Sequence, residues 1–301
     1  MGNFLVHVNR MKIVKYIGGL GNQMFIYAFS VALRETFKQK ILVDTHYYKS
    51  RKFHNGLEIE RIFGIHLTEA KLIDKLKMSW YFPNYWIDYH LFGKLPAQKN
   101  TVRELPGQKV NLGILEDSSD KFYDGYWQSY QYFDSYRDVI LKEFTFPNIN
   151  KEDKLNFKLT EILNNEENSV GIHIRRGDYL KNWKYRGLCG IDYYQKAIAY
   201  ILEHIKFPKF FLFSDDIDWV KENVSPLLEG YDVTFVNWNH SINSYRDMQL
   251  MTMCKNLIIA NSSFSWWAAY LNQNNSIVVA PQKWINSFMD FRIQYKDWIT
   301  F

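Results

Sequence analysis

Cysteine is scarce in this chain: 301 residues contain only Cys189 and Cys254. Two thiols build neither a disulfide framework nor a zinc cluster, so a reducing compartment, the cytoplasm, is expected. Long apolar runs are missing as well. The opening MGNFLVHVNRMKIVKYIGG breaks its apolar residues with charges and never reaches the roughly 20 consecutive apolar residues of a spanning helix, so no membrane anchor is expected. Met11 opens the first convincing strand, which leaves residues 1–10 as an upstream extension. No dense Lys/Arg stripe accompanies the net charge of +5. That balance argues against nucleic acid and leaves room for an anionic ligand or an acidic membrane surface. The Asp, Glu and His residues are dispersed without a metal-ligand spacing such as H-E-x-x-H, so no metal site is expected. Internal repeats and low-complexity tracts are absent.

What is present is core-forming material. A content of 47% hydrophobic residues at this length supports one large or two modest globular domains. The aromatic share is 18%, with 21 Tyr and 10 Trp. Such rings mostly fill cores, and some line sugar or peptide surfaces. In the first half, Lys12 to Ile17 reads as a strand, Gly18 to Asn22 as a glycine turn, Gln23 to Lys38 as a helix and Ile41 to Asp44 as the next strand. From Tyr47 to Phe146 the pattern is irregular and rich in aromatic clusters, and NINKEDKLNFK reads as the connection between halves. The second half alternates strands (Ser169–Ile174, Lys209–Phe213, Asp232–Val236, Asn256–Ala260, Ser276–Ala280) with helices near Tyr193–His204, Trp219–Asn223, Ser244–Cys254 and Phe264–Asn272. That is the pattern of a doubly wound α/β half with a parallel sheet, and Ser244 with Asp247 resembles a capping box.

Ligands of open parallel sheets sit beyond the carboxyl ends of the strands, so the residues just after each strand carry the chemical information. Here three strand ends are polar. The first runs into Arg175, Arg176 and Asp178, the second into Ser214, Asp215 and Asp216, and the fourth into Asn261, Ser262, Ser263, Phe264 and Ser265. Two guanidiniums grip phosphate oxygens through charge-assisted bonds, and the backbone N–H groups and hydroxyls of NSSFS at a helix start form a second anion site. Asp215 and Asp216 repel phosphate but suit the donors of a guanine or the hydroxyls of a ribose. The sum is a nucleoside diphosphate pocket. Period-two alternation places His173 with Arg175 on the face opposite Val170, Ile172 and Ile174, the polar side. GGLGNQ is a second candidate: Gly19 and Gly21 do not complete a G-x-G-x-x-G fingerprint, yet the turn lets backbone approach a ligand and Asn22 and Gln23 offer amide donors. A simple tight turn accounts for its spacing equally well.

Read together, GGLGNQMFIYA at Gly18 to Ala28, HIRRGDY at His173 to Tyr179, FSDD at Phe213 to Asp216 and MCKNLIIANSSFSWWAAYLN at Met253 to Asn272 closely resemble the α-1,2-fucosyltransferase family of bacteria and animals. The motifs occur in order over nearly the whole chain. They are also similar to the wider group of α-1,2-, α-1,6- and protein O-fucosyltransferases, which share an H-x-R-R-x-D element. The resemblance implies a GT-B fold of two Rossmann-like halves facing a cleft, with residues 1–150 as the acceptor-side α/β domain and 151–301 as the GDP-fucose-binding domain. It implies inverting transfer of L-fucose from GDP-β-L-fucose to the 2-hydroxyl of a galactose-containing acceptor, with GDP-fucose as donor substrate and no cofactor or metal required. Carried onto this chain, Arg175 and Arg176 neutralise the leaving pyrophosphate, the NSSFS residues contact phosphate, Asp215 or Asp216 contacts guanine or ribose, and Asn22 with the glycine turn faces the donor across the cleft. The general base is open among Asp178, His173 and Asp44, because LKNWKY lacks the glutamate some α-1,6 relatives carry there.

The animal members carry an N-terminal membrane anchor, so a bacterial cytoplasmic enzyme of surface-glycan synthesis is the closer likeness. One reading gives it a lipid-linked glycan acceptor, with peripheral contact at the inner face of the membrane through the aromatic stretch Tyr81 to Phe92; core or acceptor subsites are the plainer reading of those rings. Two alternatives stand beside this one: fucosyl transfer of other regiochemistry or from another GDP-sugar, and a non-catalytic carbohydrate-binding protein. The second has no use for an arginine pair and a serine-capped helix at one sheet edge.

Overall fold

The computed structural model describes residues 10–50, 54–82, 84, 87–104, 109–274, 276–287 and 292–301. Of the upstream extension only Arg10 is among them, and Pro83, Tyr85, Trp86 and the Phe92 side chain of the aromatic stretch lie outside them. The chain divides into two compact units, Met1–Thr145 and Phe146–Phe301.

In the first unit, β1 (Lys12–Lys15), β2 (Leu42–Asp44), β3 (Thr101–Arg103) and β4 (Lys121–Asp124) form a parallel sheet in the order β2-β1-β4-β3. Val14 aligns with Val43 on one side and Tyr123 on the other. Helix α1 (Leu20–Phe37) follows β1 and is buried at thirteen positions, which makes it a core helix covered nearly all round. Aromatic rings fill the space behind it: Trp127 stacks on Phe29 at 4.3 Å, with Tyr123 and Tyr132 edge-on to the same ring. Much of the unpatterned aromatic region is therefore core. Shorter helices α2 (His46–Ser50), α3 (Glu58–Phe63), α4 (Leu72–Met78) and α5 (Arg137–Glu143) complete the unit.

The second unit carries β5 (Ser169–Ile174), β6 (Lys209–Ser214), β7 (Val233–Val236), β8 (Asn256–Ile258), β9 (Val278–Ala280) and β10 (Ile299–Thr300), all parallel in the order β10-β9-β8-β5-β6-β7. Helices α6 (Lys154–Asn165), α7 (Ile191–His204), α8 (Ile217–Asn223), α9 (Tyr245–Met251) and α10 (Ser263–Leu271) lie between or before the strands. Apolar side chains of β5, β6 and α7, including Ile172, Leu212, Tyr194 and Ile198, make one core. The chain leaves β5 for β6 and β7 on one side, then returns to lay β8 along the other side of β5. The strand order therefore reverses at β5, and the crevice beyond the ends of β5 and β8 is a topological switch point.

Three local readings change. The second half of NINKEDKLNFK is α6 rather than a linker. The capping box at Ser244 does not form: its backbone is already helical, its side chain makes no cap bond, and Asp247 accepts from Asn239 instead. The two-residue β10 at the C-terminus carries too little periodicity to be seen in sequence.

Candidate active site

Ile174 and Ser214 are register partners on β5 and β6, so Arg175–Arg176 and Asp215–Asp216 leave the sheet side by side. The Arg175 Nη2 donates to Asp178 Oδ1 at 2.6 Å, and its Nη1 lies 3.0 Å from Asp215 Oδ2. Burial disfavours the Arg175 charge, but Asp215 and then Asp178 more than offset it and raise its pKa. The Arg176 backbone N–H donates to the other Asp215 oxygen at 2.9 Å. Its guanidinium Nε donates to Asp216 Oδ2 at 3.0 Å, and its central carbon stands 3.9 Å from the Trp219 ring centroid. Nη1 and Nη2 of Arg176 make no hydrogen bond among the described residues. One guanidinium is thus held by carboxylates at both terminal nitrogens, while the other is clamped at its base with its outer fork unpaired among the described residues.

The carboxylates serve this arrangement. Asp216 caps α8, accepting the Trp219 N–H at 3.3 Å while its own N–H donates to Ser214 Oγ at 3.0 Å. The same side chain thereby starts the helix, sets Trp219 in its first turn and holds Arg176. Asp215 approaches so closely that a Cβ at Gly177 would stand 2.7 Å from its Oδ2. Both aspartates, expected to meet guanine or ribose, are occupied by the arginines here.

His173 is not on an open polar side. All six β5 residues are buried, because crossover helices cover both faces of a parallel sheet. The His173 ring lies 5.8 Å from that of Phe264, and its Nδ1 has no hydrogen-bond partner among the described residues. Burial, and then the Arg175 charge, push its pKa down to about 3, so the ring is neutral at physiological pH.

At the third strand end most of the polar run turns inward. Ser262 caps α10 by accepting the Phe264 N–H at 3.3 Å. The buried Ser265 hydroxyl is within 3.3 Å of the Ala260 and Ser262 carbonyls. Asn261 is buried, donating to the Trp284 carbonyl at 3.1 Å and accepting from the Cys189 thiol at 3.4 Å. Ser263, half-buried at the first position of α10, keeps both its hydroxyl and its backbone N–H unpaired among the described residues. Tyr179 ties this end to the first: its hydroxyl donates to the Asn261 carbonyl at 3.2 Å, and its ring stacks on Tyr185 with Arg175 5.6 Å away.

In the first unit Gly18 takes φ +80, a left-handed conformation that favours glycine, and Gly19 caps α1, its carbonyl receiving the N–H groups of Asn22 and Gln23. Gly21 is buried in the first turn. Gln23 is buried too and saturated: its amide donates to the Gly18 and Gly56 carbonyls and its oxygen accepts from Glu58 and Ile59. It pins the Gly56–Ile59 loop and has no donor left for a ligand. Asn22 is half-buried and accepts from Gln128 at 2.7 Å. Asp44, the remaining base candidate, is sealed: His46 Nδ1 stands 2.6 Å and Lys75 Nζ 2.5 Å from its carboxylate. Burial would raise its pKa, but His46 and Lys75 together hold it near 2. A crevice of the same unit is lined by Lys15, Trp80, Tyr81, Asp88, Arg103 and Asp124, and Asp44 is not part of its wall.

Trp219 escaped the sequence reading. Its signal was present, an aromatic residue three positions after Asp216 in the first turn of a capped helix, but only the folded geometry puts it under Arg176.

The family model of glycosyl transferase family 11 matches residues 7–301. An α-1,2-colitosyltransferase of Escherichia coli is 35% identical over 92% of this chain and 94% of its own length. The Escherichia coli O-antigen biosynthesis glycosyltransferase WbnK is 35% identical over 94% and 98%. A galactoside 2-α-L-fucosyltransferase of Bos taurus is 30% identical over 87% of this chain and 65% of its own. Among solved structures, the Arabidopsis thaliana FUT1 complex with GDP superposes with a TM-score of 0.51 at 13% identity, covering 92% of this chain and 72% of that one. The α-1,6-fucosyltransferase NodZ soaked with GDP-fucose gives 0.50 at 17% identity, covering 87% and 93%. These distant likenesses speak to fold, a GT-B architecture of parallel α/β units.

Proposed function

This chain belongs to glycosyl transferase family 11, and from that premise we propose that it moves L-fucose from GDP-β-L-fucose to the 2-hydroxyl of a galactose-containing acceptor with inversion. The observation that carries the reading is the Arg175–Arg176 pair at the switch point of the second sheet, with one guanidinium fork uncommitted after β5 and the unpaired donors of Ser263 after β8. The second unit takes the donor nucleotide and the first serves the acceptor.

In the reaction the acceptor 2-oxygen forms its bond to the anomeric carbon as the bond from that carbon to the β-phosphate oxygen breaks. The electron pair leaves with GDP. Negative charge grows on the β-phosphate, where the Arg176 fork stabilises it, and Arg175 exchanges its carboxylate partners for phosphate oxygens. The acceptor hydroxyl loses a proton. Of the three base candidates Asp44 is sealed and His173 is enclosed with a depressed pKa, so the exposed Asp178, freed when Arg175 turns to phosphate, is the group that receives it. A glycan held at a membrane by a lipid fits the O-antigen role in the WbnK name.

The likeness to a colitosyltransferase favours a second reading in which colitose is the sugar moved to the same position. The experiment supplies purified protein with GDP-fucose or GDP-colitose and a β-galactoside, with EDTA present, and determines the linkage of any product. A 2-O-linked fucose formed despite EDTA supports the first reading and its metal independence. Product from GDP-colitose alone transfers the assignment to the second, and a linkage to any other hydroxyl defeats both.

A further inference from the structure

Helix α4 (Leu72–Met78) is built inside out. A surface helix of a water-facing protein hides its leucines and exposes its lysines. Here Lys75 is buried beside Met78, its ammonium 2.5 Å from both Asp44 and Glu69, while Leu72, Ile73 and Leu76 are 50%, 55% and 47% exposed. The internal ion pairs fix the orientation, since turning α4 to hide its leucines would leave Asp44 buried without Lys75. The apolar exposure continues along the chain through Trp80, Leu91 and Leu95. Of eighteen exposed large hydrophobic residues among those described, eight fall between positions 72 and 95, far more than scattered surface exposure would place there.

The exposed charges of this stretch have one sign. Lys71, Lys77, Lys94 and Lys99 are exposed, whereas Asp74 is half-buried and Asp88 is buried. We propose that the α4 face, with the apolar residues that follow it, is a docking surface for an anionic phospholipid membrane. Apolar side chains enter the headgroup boundary and the lysines meet the lipid phosphates. The same lysines argue against a second copy as the occupant, because a two-fold contact sets each cationic rim against its equal. The inference is independent of donor and linkage, since vesicle binding is measured without sugar.

The test uses the full chain in sedimentation with vesicles of phosphatidylcholine alone or with phosphatidylglycerol added. Binding to the anionic vesicles roughly tenfold or more above the neutral ones, weakening as salt rises, is expected. The triple variant Leu72→Ser/Ile73→Ser/Leu76→Ser loses that binding and keeps a cooperative melt. Should it fail to fold, Lys71→Glu/Lys77→Glu removes only the preference for anionic vesicles. Absence of binding to either vesicle overturns the proposal, as does a concentration-dependent dimer that the triple variant disperses.

Discussion

On the proposed function, replacing Arg175 with alanine removes more than a phosphate donor. In the folded chain its guanidinium lies between Asp178 at 2.6 Å and Asp215 at 3.0 Å. Without it, two carboxylates face the ground that the proposed function gives to the diphosphate. The lost donor alone is worth about 3 kcal/mol in the transition state, a drop in kcat of roughly 10² to 10³. Each uncovered carboxylate adds repulsion of up to about 2 kcal/mol toward a phosphate some 8 Å away at an effective dielectric near 20, discounted here because the site is partly open to water. The expected result is a fall in kcat of about two to three orders of magnitude together with a raised donor KM. Arg175→Lys keeps the charge but cannot bridge both carboxylates, and should fall between parent and alanine variant. Adding Asp215→Asn to Arg175→Ala should recover donor KM but not kcat. Initial rates with GDP-fucose and a β-galactoside, with GDP calorimetry and a thermal melt, measure all three. A well-folded Arg175→Ala protein with kcat/KM within threefold of the parent would refute the reasoning.

Trp219→Ala withdraws the ring 3.9 Å from Arg176 and should raise donor KM by about three- to tenfold with a smaller effect on kcat, while Trp219→Phe restores most of it; an unchanged KM in the alanine variant would deny the positioning role. Gln23→Leu strands the carbonyl of Gly56 and the N–H groups of Glu58 and Ile59, while Gly18 keeps the Tyr48 hydroxyl at 2.8 Å, so chemical denaturation should show a loss of at least about 2 kcal/mol with GDP affinity unchanged. A stable variant with weakened GDP binding would instead restore the residue to the donor site. Burial lifts Asp247 from an ordinary 3.8 to about 7, with only the Asn239 hydrogen bond opposing. The folded state therefore holds a proton that the unfolded state has released between those values, and the stability it contributes is lost as pH rises through about 7. Asp247→Asn keeps an acceptor for Asn239 and should gain on the parent by about 2 kcal/mol between roughly pH 5 and pH 8; parallel melting curves across that range would contradict it.

Much of the second unit was legible in sequence because its strands are short buried runs separated by helical periods, and both signals are local. Arg175, Arg176, Asp215 and Asp216 were legible for a related reason: in a parallel sheet the residues after the strands gather at one edge whatever the details. Availability was another matter. Gln23, Ser265 and Asn261 look like ligand contacts in a motif, yet each spends its hydrogen bonds inside the protein, Gln23 and Asn261 on groups distant in the chain such as Glu58 and Trp284, and Ser265 on carbonyls of its own turn. His173 follows the alternation of its strand, but alternation says only which face a residue takes and not that Phe264 covers it.

The sequence alone determined the α/β class, the likeness to fucosyltransferases and the chemical kinds gathered at the second sheet's edge, since these depend on local pattern and residue type. Tertiary structure decided which of those groups are free: that Asp216 caps a helix while gripping Arg176, that Trp219 lies under that guanidinium, and that Lys75 faces inward while the leucines of α4 face out. The physical reason is common to all three. A side chain's reactivity and exposure are set by its partners, and these partners come from 3 to 43 positions away in the chain or from across a sheet, where no local period records them.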